Sequence, residues 1–314
     1  MTIRRPFALA LAATVAITLA ACGADTVAQD PGAAPASESA PQTATDRLAT
    51  PIIDVDVRGS GTSDILLIPG LASPKAVWDE TVARMDTDHR MHTVGVRGFG
   101  GVPADVETDD VFARIVEDIK AYLDTNDLRD VTVIGHSLGG FAALHLALET
   151  DRVGQVVVVD SLPFYPLVFD PDATVESVAP QAATMAAQMR ALPPDAYAAQ
   201  ARRNAAILSM SQDRVQQIGD WAAASDPDTV VEAMETLMTT DLRPRLSEIG
   251  IPVHVLVAHH PAMGVAREAH LERWREAYAA LPDLTLTPID GSFHFIMFDQ
   301  PEAFAASLQD TLPE

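Results

Sequence analysis

The chain has 314 residues, 48% of them hydrophobic, and carries 44 acidic against 21 basic residues for a formal charge of −23. That length and apolar content suit one large α/β domain with an insertion, or two small domains. The acidic surplus excludes nucleic acid and anionic lipid as electrostatic partners; a surface of that charge serves solubility.

The N-terminus reads Met1-Thr2-Ile3-Arg4-Arg5, followed by an apolar run from Phe7 to Ala21. A positive flank, a short apolar core and small residues before a cut site form an export signal. The run is too short and alanine-rich to span a bilayer. Leu19-Ala20-Ala21-Cys22 resembles the bacterial lipobox, which the lipoprotein signal peptidase reads. The resemblance implies removal of residues 1–21 and a lipid anchor on the sulfur of Cys22, the one cysteine of the chain. Gly23 and Ala24 follow, with no Asp directly after Cys22, which resembles the pattern sorted to the outer membrane, facing the periplasm. An ordinary cleaved signal ending near a cysteine is the alternative. Residues 22–50 are Ala, Pro, Ser, Thr, Gln and Asp with almost no large apolar side chain. Such a stretch cannot bury enough surface to offset its ordering entropy, so a disordered tether is expected.

Order begins at Ile52. Ile52 to Val57 alternates as a strand does, and Arg58-Gly59-Ser60-Gly61 is a turn. Ile65 to Ile68 reads as a buried strand, Lys75 to Met85 as a helix, and His92 to Val96 as a further strand. The loop Arg97-Gly98-Phe99-Gly100-Gly101 lacks the Lys-Ser/Thr ending of a phosphate loop and is expected to approach a pocket, with Phe99 on its wall. Asp109 to Leu123 carries apolar residues at helical spacing: Val111, Ile115, Ile119 and Leu123. Then Val131 to Ile134, a β-branched run, leads into Gly135-His136-Ser137-Leu138-Gly139, and a helical segment, Phe141 to Leu148, follows.

That order has a chemical reason. A serine hydroxyl is a poor nucleophile unless it is exposed, aligned and served by a base. A sharp strand-to-helix turn lifts Ser137 above the sheet, with glycines on either side because side chains there would collide. Val156 to Val159, Val253 to Val257 and Leu284 to Thr287 are three more strands; Met263 to Leu281 and Pro301 to Leu312 are predicted helices. Strands alternating with helices imply a mostly parallel sheet, with ligands at the carboxyl ends of its strands. Between Asp160 and Gly250 the alternation stops. Residues 161–250 are predicted to form a helical cap between core segments 51–160 and 251–314. Its methionines (Met185, Met189, Met210, Met234 and Met238) suit the filling of irregular apolar space.

An activated serine needs a base and oxyanion donors. His294, in Ser292-Phe293-His294-Phe295, follows the last strand and precedes the last helix, which puts it at the rim beside Ser137. The backbone N–H of Leu138 supplies one oxyanion donor. The loop Pro69-Gly70-Leu71-Ala72-Ser73 supplies the other, at Leu71 or, in reserve, Ala72. His136 and His260 are placed beside the substrate pocket, although His136 is expected to point away across the turn. His254, His259, His260 and His270 lack the companions of a familiar ligand set, so no metal is expected, and the chemistry asks for no cofactor.

From about Ile52 to Leu312 these residues resemble the α/β-hydrolase superfamily: the turn at Gly135–Gly139, the Pro69-Gly70 loop where many members read His-Gly, the cap position, and His294 followed by Phe298-Asp299-Gln300-Pro301-Glu302. The family order is nucleophile, acid, histidine, and its usual acid follows the next-to-last strand. Here that place reads Ala258-His259-His260-Pro261-Ala262-Met263-Gly264, without a carboxylate. Asp160, at the carboxyl end of the strand after the serine unit, is the replacement; certain haloalkane dehalogenases resemble this arrangement. A turn-capping role for Asp160, Glu268 as the acid, and a dyad without an acid stand as alternatives. The resemblance implies a serine hydrolase acting on a small-molecule carboxylic ester, hydrophobic or amphipathic to match the cap. Amide, lactone or carbon–carbon bond hydrolysis and acyl transfer would reuse the same groups, and a catalytically inactive ligand-binding lipoprotein is the reading outside enzymes. Oligomeric state leaves no mark in the sequence.

Overall fold

A computed structural model of the chain describes residues 50–85, 89–106 and 108–312. The export signal, Cys22 and all of the tether but Thr50 lie outside the described residues.

The first half alternates strand and helix. β1 (Ile53–Arg58) and β2 (Ser63–Ile68) are followed by a tight helical turn, Lys75–Trp78, and α1 (Asp79–Arg84). Next come β3 (His89–Val96), α2 (Val111–Thr125), β4 (Val131–His136), α3 (Leu138–Glu149) and β5 (Val153–Val159). Four helices then run without a strand: α4 (Val175–Arg190), α5 (Pro194–Asn204), α6 (Gln212–Ala224) and α7 (Pro227–Thr239). The alternation resumes with β6 (Val253–His259), α8 (Arg267–Ala277), β7 (Leu284–Asp290), α9 (Ile296–Asp299) and α10 (Pro301–Thr311).

The seven strands form one sheet in the order β1-β3-β2-β4-β5-β6-β7. Every neighbouring pair is parallel except β1 with β3. Successive side chains point to opposite faces. Thus Leu66, Ile68, Val133, Val156 and Val158 pack with Ile115 and Ile119 of α2, Phe141 and Leu144 of α3, and Leu271 of α8. Ile65, Leu67, Ile134, Val157 and Val159 pack on the other face with Trp78 and with Phe304 and Leu308 of α10. Both faces are covered, which is why the central strands read as unbroken apolar runs. Each such side chain contributes ~1.5–3 kcal/mol by leaving water.

Local chemistry sets the element ends. The Asp110 carboxylate accepts the N–H of Ala113 at 2.9 Å and so caps α2, which starts at Val111, two residues past the expected Asp109. The helix expected from Met263 starts only at Arg267, because Gly264 turns left-handed (φ 71°) after a short turn at Pro261–Met263. Within the helical insert, Met238 is buried and Met210 is 45% exposed, so its methionines are part core and part surface.

Two glycines let three elements meet beneath the serine. A Cβ on Gly135 would strike the carbonyl of Gly139, and a Cβ on Gly139 would strike the carbonyl oxygen of Ile68 at the end of β2. Neither obstacle is a flexible side chain, so neither can swing aside. Gly139→Ala is expected to cost ~3 kcal/mol or more of stability, by overpacking against rigid backbone. A urea unfolding midpoint equal to that of the wild type would contradict it.

Candidate active site

Ser137 joins β4 to α3 with φ 53° and ψ −118°. A side chain rarely tolerates such backbone, which costs ~1–3 kcal/mol and persists only where surrounding structure enforces it. Here the Ser137 N–H donates to the Val159 carbonyl at 3.0 Å, and the Ser137 carbonyl accepts the N–H of Phe141 at 3.1 Å. The residue is half-buried, unlike the fully buried strand before it. Leu138 opens α3, so its N–H belongs to the first turn and has no intrahelical acceptor.

The loop after β2 runs along this turn. The Ser73 N–H donates to Gly70 O at 3.1 Å, and Ala72 takes φ 59°. A Cβ on Gly70 would sit 3.2 Å from the Ser137 Cβ and 2.8 Å from His136 Nδ1. The backbone therefore passes directly beside the serine, with Leu71 next along it.

His294 lies in the loop after β7. Its Nδ1–H donates to Asp160 Oδ2 at 2.7 Å, which assigns the ring proton to Nδ1 and leaves Nε2 as a base. Asp160 directly follows β5 with φ 48°, a left-handed position that aspartate tolerates better than most residues. Its N–H donates to Leu256 O at 2.9 Å, and its Oδ1 accepts the N–H of Ala258 at 2.9 Å. The next peptide is held by Tyr278, whose hydroxyl donates to Ser161 O at 2.5 Å. Among the described residues, no hydrogen bond joins the Ser137 hydroxyl or His294 Nε2 to a partner. Glu268, the alternative acid, pairs instead with Arg267, its side chain 76% exposed.

Two of the expected pocket residues have other surroundings. His136 is buried, its ring 4.6 Å from those of both His294 and Phe295. Its Nε2–H donates to the His294 carbonyl at 3.1 Å. Burial, with His294 beside it, pushes its imidazole well below the usual range, so the ring is neutral. It backs the histidine loop and is not a pocket wall. Phe99 is likewise fully buried, in the core cluster that holds Phe112 and Leu138. Its N–H closes a turn onto Val96 O at 3.1 Å. The glycines around it meet the helical insert: the Asp226 N–H donates to Gly98 O at 2.8 Å, and Gly100 N–H to the Ser225 hydroxyl at 2.8 Å. His260 is half-exposed, with its ring 5.1 Å edge-on from Phe293, next to His294.

The other histidines weighed as metal ligands are bound within the fold. His254 sits between the hydroxyls of Thr311 and Thr287. His259 bonds Asp290 at 3.2 Å, and His270 donates to Ala258 O at 3.1 Å. No group of three or more metal-ligating side chains occurs among the described residues. The sequence reading missed the Ala258 N–H on Asp160 and the backing ring of His136. A backbone donor leaves no residue signature. His136 did leave one, an aromatic ring directly before the serine.

A strained serine between the central strand of a parallel sheet and a buried helix is the architecture of α/β hydrolases. Residues 65–307 match the alpha/beta hydrolase family, and the chain belongs to it. Over 262 residues it is 28% identical to the pimeloyl-(acyl-carrier protein) methyl ester esterase of Nitrosomonas europaea, spanning 81% of this chain and 97% of that one. A protein of the same name from Vibrio atlanticus is 27% identical over 205 residues, 63% of this chain and 75% of its own. Among solved structures, a thermophilic esterase from Thermogutta terrifontis aligns with a TM-score of 0.67 at 17% identity, covering 82% of this chain and 92% of that chain. The enol-lactonase from Burkholderia xenovorans LB400 aligns at 0.66 and 20% identity, covering 83% and 96%. At those identities the structural likeness speaks for the fold.

If Asp160 orients His294, Asp160→Asn will slow reaction of Ser137 with a fluorophosphonate by ~10³–10⁴-fold, because an amide donating to Nδ1 moves the ring proton to Nε2, which can then no longer accept one. Glu268→Gln will leave the rate unchanged. The reverse pattern, read by labelling kinetics on protein of unaltered melting temperature, would move the assignment to Glu268.

Proposed function

We propose that this chain is a serine hydrolase that cleaves carboxylic esters through an acyl-enzyme. The observation that carries the reading is the 2.7 Å bond of Asp160 to His294 at the rim where the strained Ser137 turn emerges. In this mechanism His294 Nε2 takes the Ser137 proton as Oγ attacks the ester carbonyl. The resulting imidazolium is stabilised by the Asp160 carboxylate, and the N–H groups of Leu71 and Leu138 receive the oxyanion. His294 then returns the proton to the departing alkoxide. Water, deprotonated by the same nitrogen, frees the acid and restores Ser137.

The curated relatives are named for a methyl ester of an acyl chain, which supports an ester with an apolar acyl part. The helical insert, with partly buried Leu208 and Trp221 packed against the cluster that holds Phe295 of the histidine loop, supports the same class. His260 and Phe293 are proposed to line the approach. The lipobox-like Leu19–Cys22 supports export and a lipid anchor on Cys22, which would hold the domain at a membrane of the cell envelope.

The test is a panel of p-nitrophenyl esters of graded acyl length, with fluorophosphonate labelling of intact protein. Turnover and labelling are expected in the wild type. Ser137→Ala should lose ~10⁶-fold in kcat and all labelling. Ester turnover that survives in Ser137→Ala, or a wild type that neither turns over nor labels, would overturn the proposal.

A further inference from the structure

Asp299 closes α9, five residues after His294 and outside the groups that touch a reacting atom. Its carboxylate accepts three hydrogen bonds that reach two separate parts of the molecule. Oδ2 takes the N–H of Phe293, directly before His294, at 2.8 Å. Oδ1 takes the hydroxyl of Ser209 at 2.6 Å and the N–H of Met210 at 2.9 Å. Ser209 and Met210 belong to the helical insert, in the link between α5 and α6. A further bond runs beside this node: the Phe295 N–H donates to Leu208 O at 3.0 Å. The residues on both sides of His294 are thus held by the insert, through Asp299 on one flank and Leu208 on the other.

Other braces of the same loop come from the core. Gly291 N–H donates to His259 O at 2.8 Å, the Gln300 side chain donates to Gly291 O at 2.8 Å, and His136 holds the His294 carbonyl. Those fix the start of the loop and the carbonyl of His294. The N–H before His294 is fixed from Asp299 alone among these bonds. One carboxylate shared by the histidine loop and the insert means that displacing one releases a partner of the other.

We propose that Asp299 is a positioning residue that couples the seating of the helical insert to the placement of His294, so that the base is aligned only while the insert is docked. The proposal rests on the hydrolase reading above for its catalytic consequence, and on geometry alone for the coupling. An amide cannot replace the carboxylate. Whichever way it turns, its NH₂ faces either the Phe293 N–H or the two donors of Ser209 and Met210.

The test uses the full chain with Asp299→Asn and Ser209→Ala, and reads kcat and KM on p-nitrophenyl acetate alongside hydrogen exchange of the peptide spanning Ser292–Phe298. An acetyl group is too small to need the insert for binding, so a purely structural role in the insert would leave kcat on this ester alone. Coupling predicts that both variants lose about tenfold or more in kcat with KM nearly unchanged, since small misplacement of a base is costly. Exchange of the base-loop peptide in Ser209→Ala should quicken about tenfold, although Ser209 lies in the insert. Wild-type exchange in that peptide overturns the coupling, as does wild-type kcat in both variants. If Asp299→Asn does not fold, Ser209→Ala decides by the same two readings. A wild type without esterase activity or fluorophosphonate labelling overturns the hydrolase reading, and the exchange comparison then decides the coupling by itself.

Discussion

The hydrogen bond between His294 and Asp160 joins residues 134 positions apart, and the proposed chemistry of the site depends on it. Without it, nothing fixes which ring nitrogen carries the proton, and the proposed mechanism needs Nε2 to be free of it. Each end of the bond is held by further hydrogen bonds. Asp160 is fixed by its own N–H on β6 and by the Ala258 N–H on its other oxygen. His294 is fixed through its carbonyl, which accepts from His136. A carboxylate can therefore sit just past the end of β5, because β6 lies next to it and supplies the N–H donor it needs.

The sheet absorbs the strain this requires. Ala72, Ser137 and Asp160 all adopt positive φ without being glycine, and they follow β2, β4 and β5, which are adjacent in the sheet. Three unfavourable backbones on one rim imply that the core beneath them over-determines their positions. The two apolar clusters on the faces of the sheet provide that rigidity. The helical insert rests on loops from the same rim, through Ser225 on Gly100 and Ser209 on Asp299.

Much of this was legible in the sequence, and the exceptions have physical causes. Unbroken valine runs marked the buried strands because both faces are covered. Gly135 and Gly139 marked the tight turn because carbonyl groups occupy the space of a Cβ at both. Asp160 could be singled out because the place after β6 held histidines and no carboxylate. That Phe99 and His136 are buried was not legible, because a sequence does not say which way an aromatic ring turns at the end of a strand. The long helix expected from Met263 was cut short by Gly264, whose left-handed turn the apolar pattern does not record. The bonds from Asp299 to the insert join residues about ninety apart, and no local pattern encodes them.

The most direct test of the account is the proton on His294 Nδ1. A proton shared with a buried carboxylate resonates far downfield of ordinary imidazole protons in a ¹H NMR spectrum. The account predicts such a resonance in the wild type and in Glu268→Gln, and its loss in both Asp160→Asn and His294→Gln. A resonance that persists in Asp160→Asn, or disappears in Glu268→Gln, would contradict it.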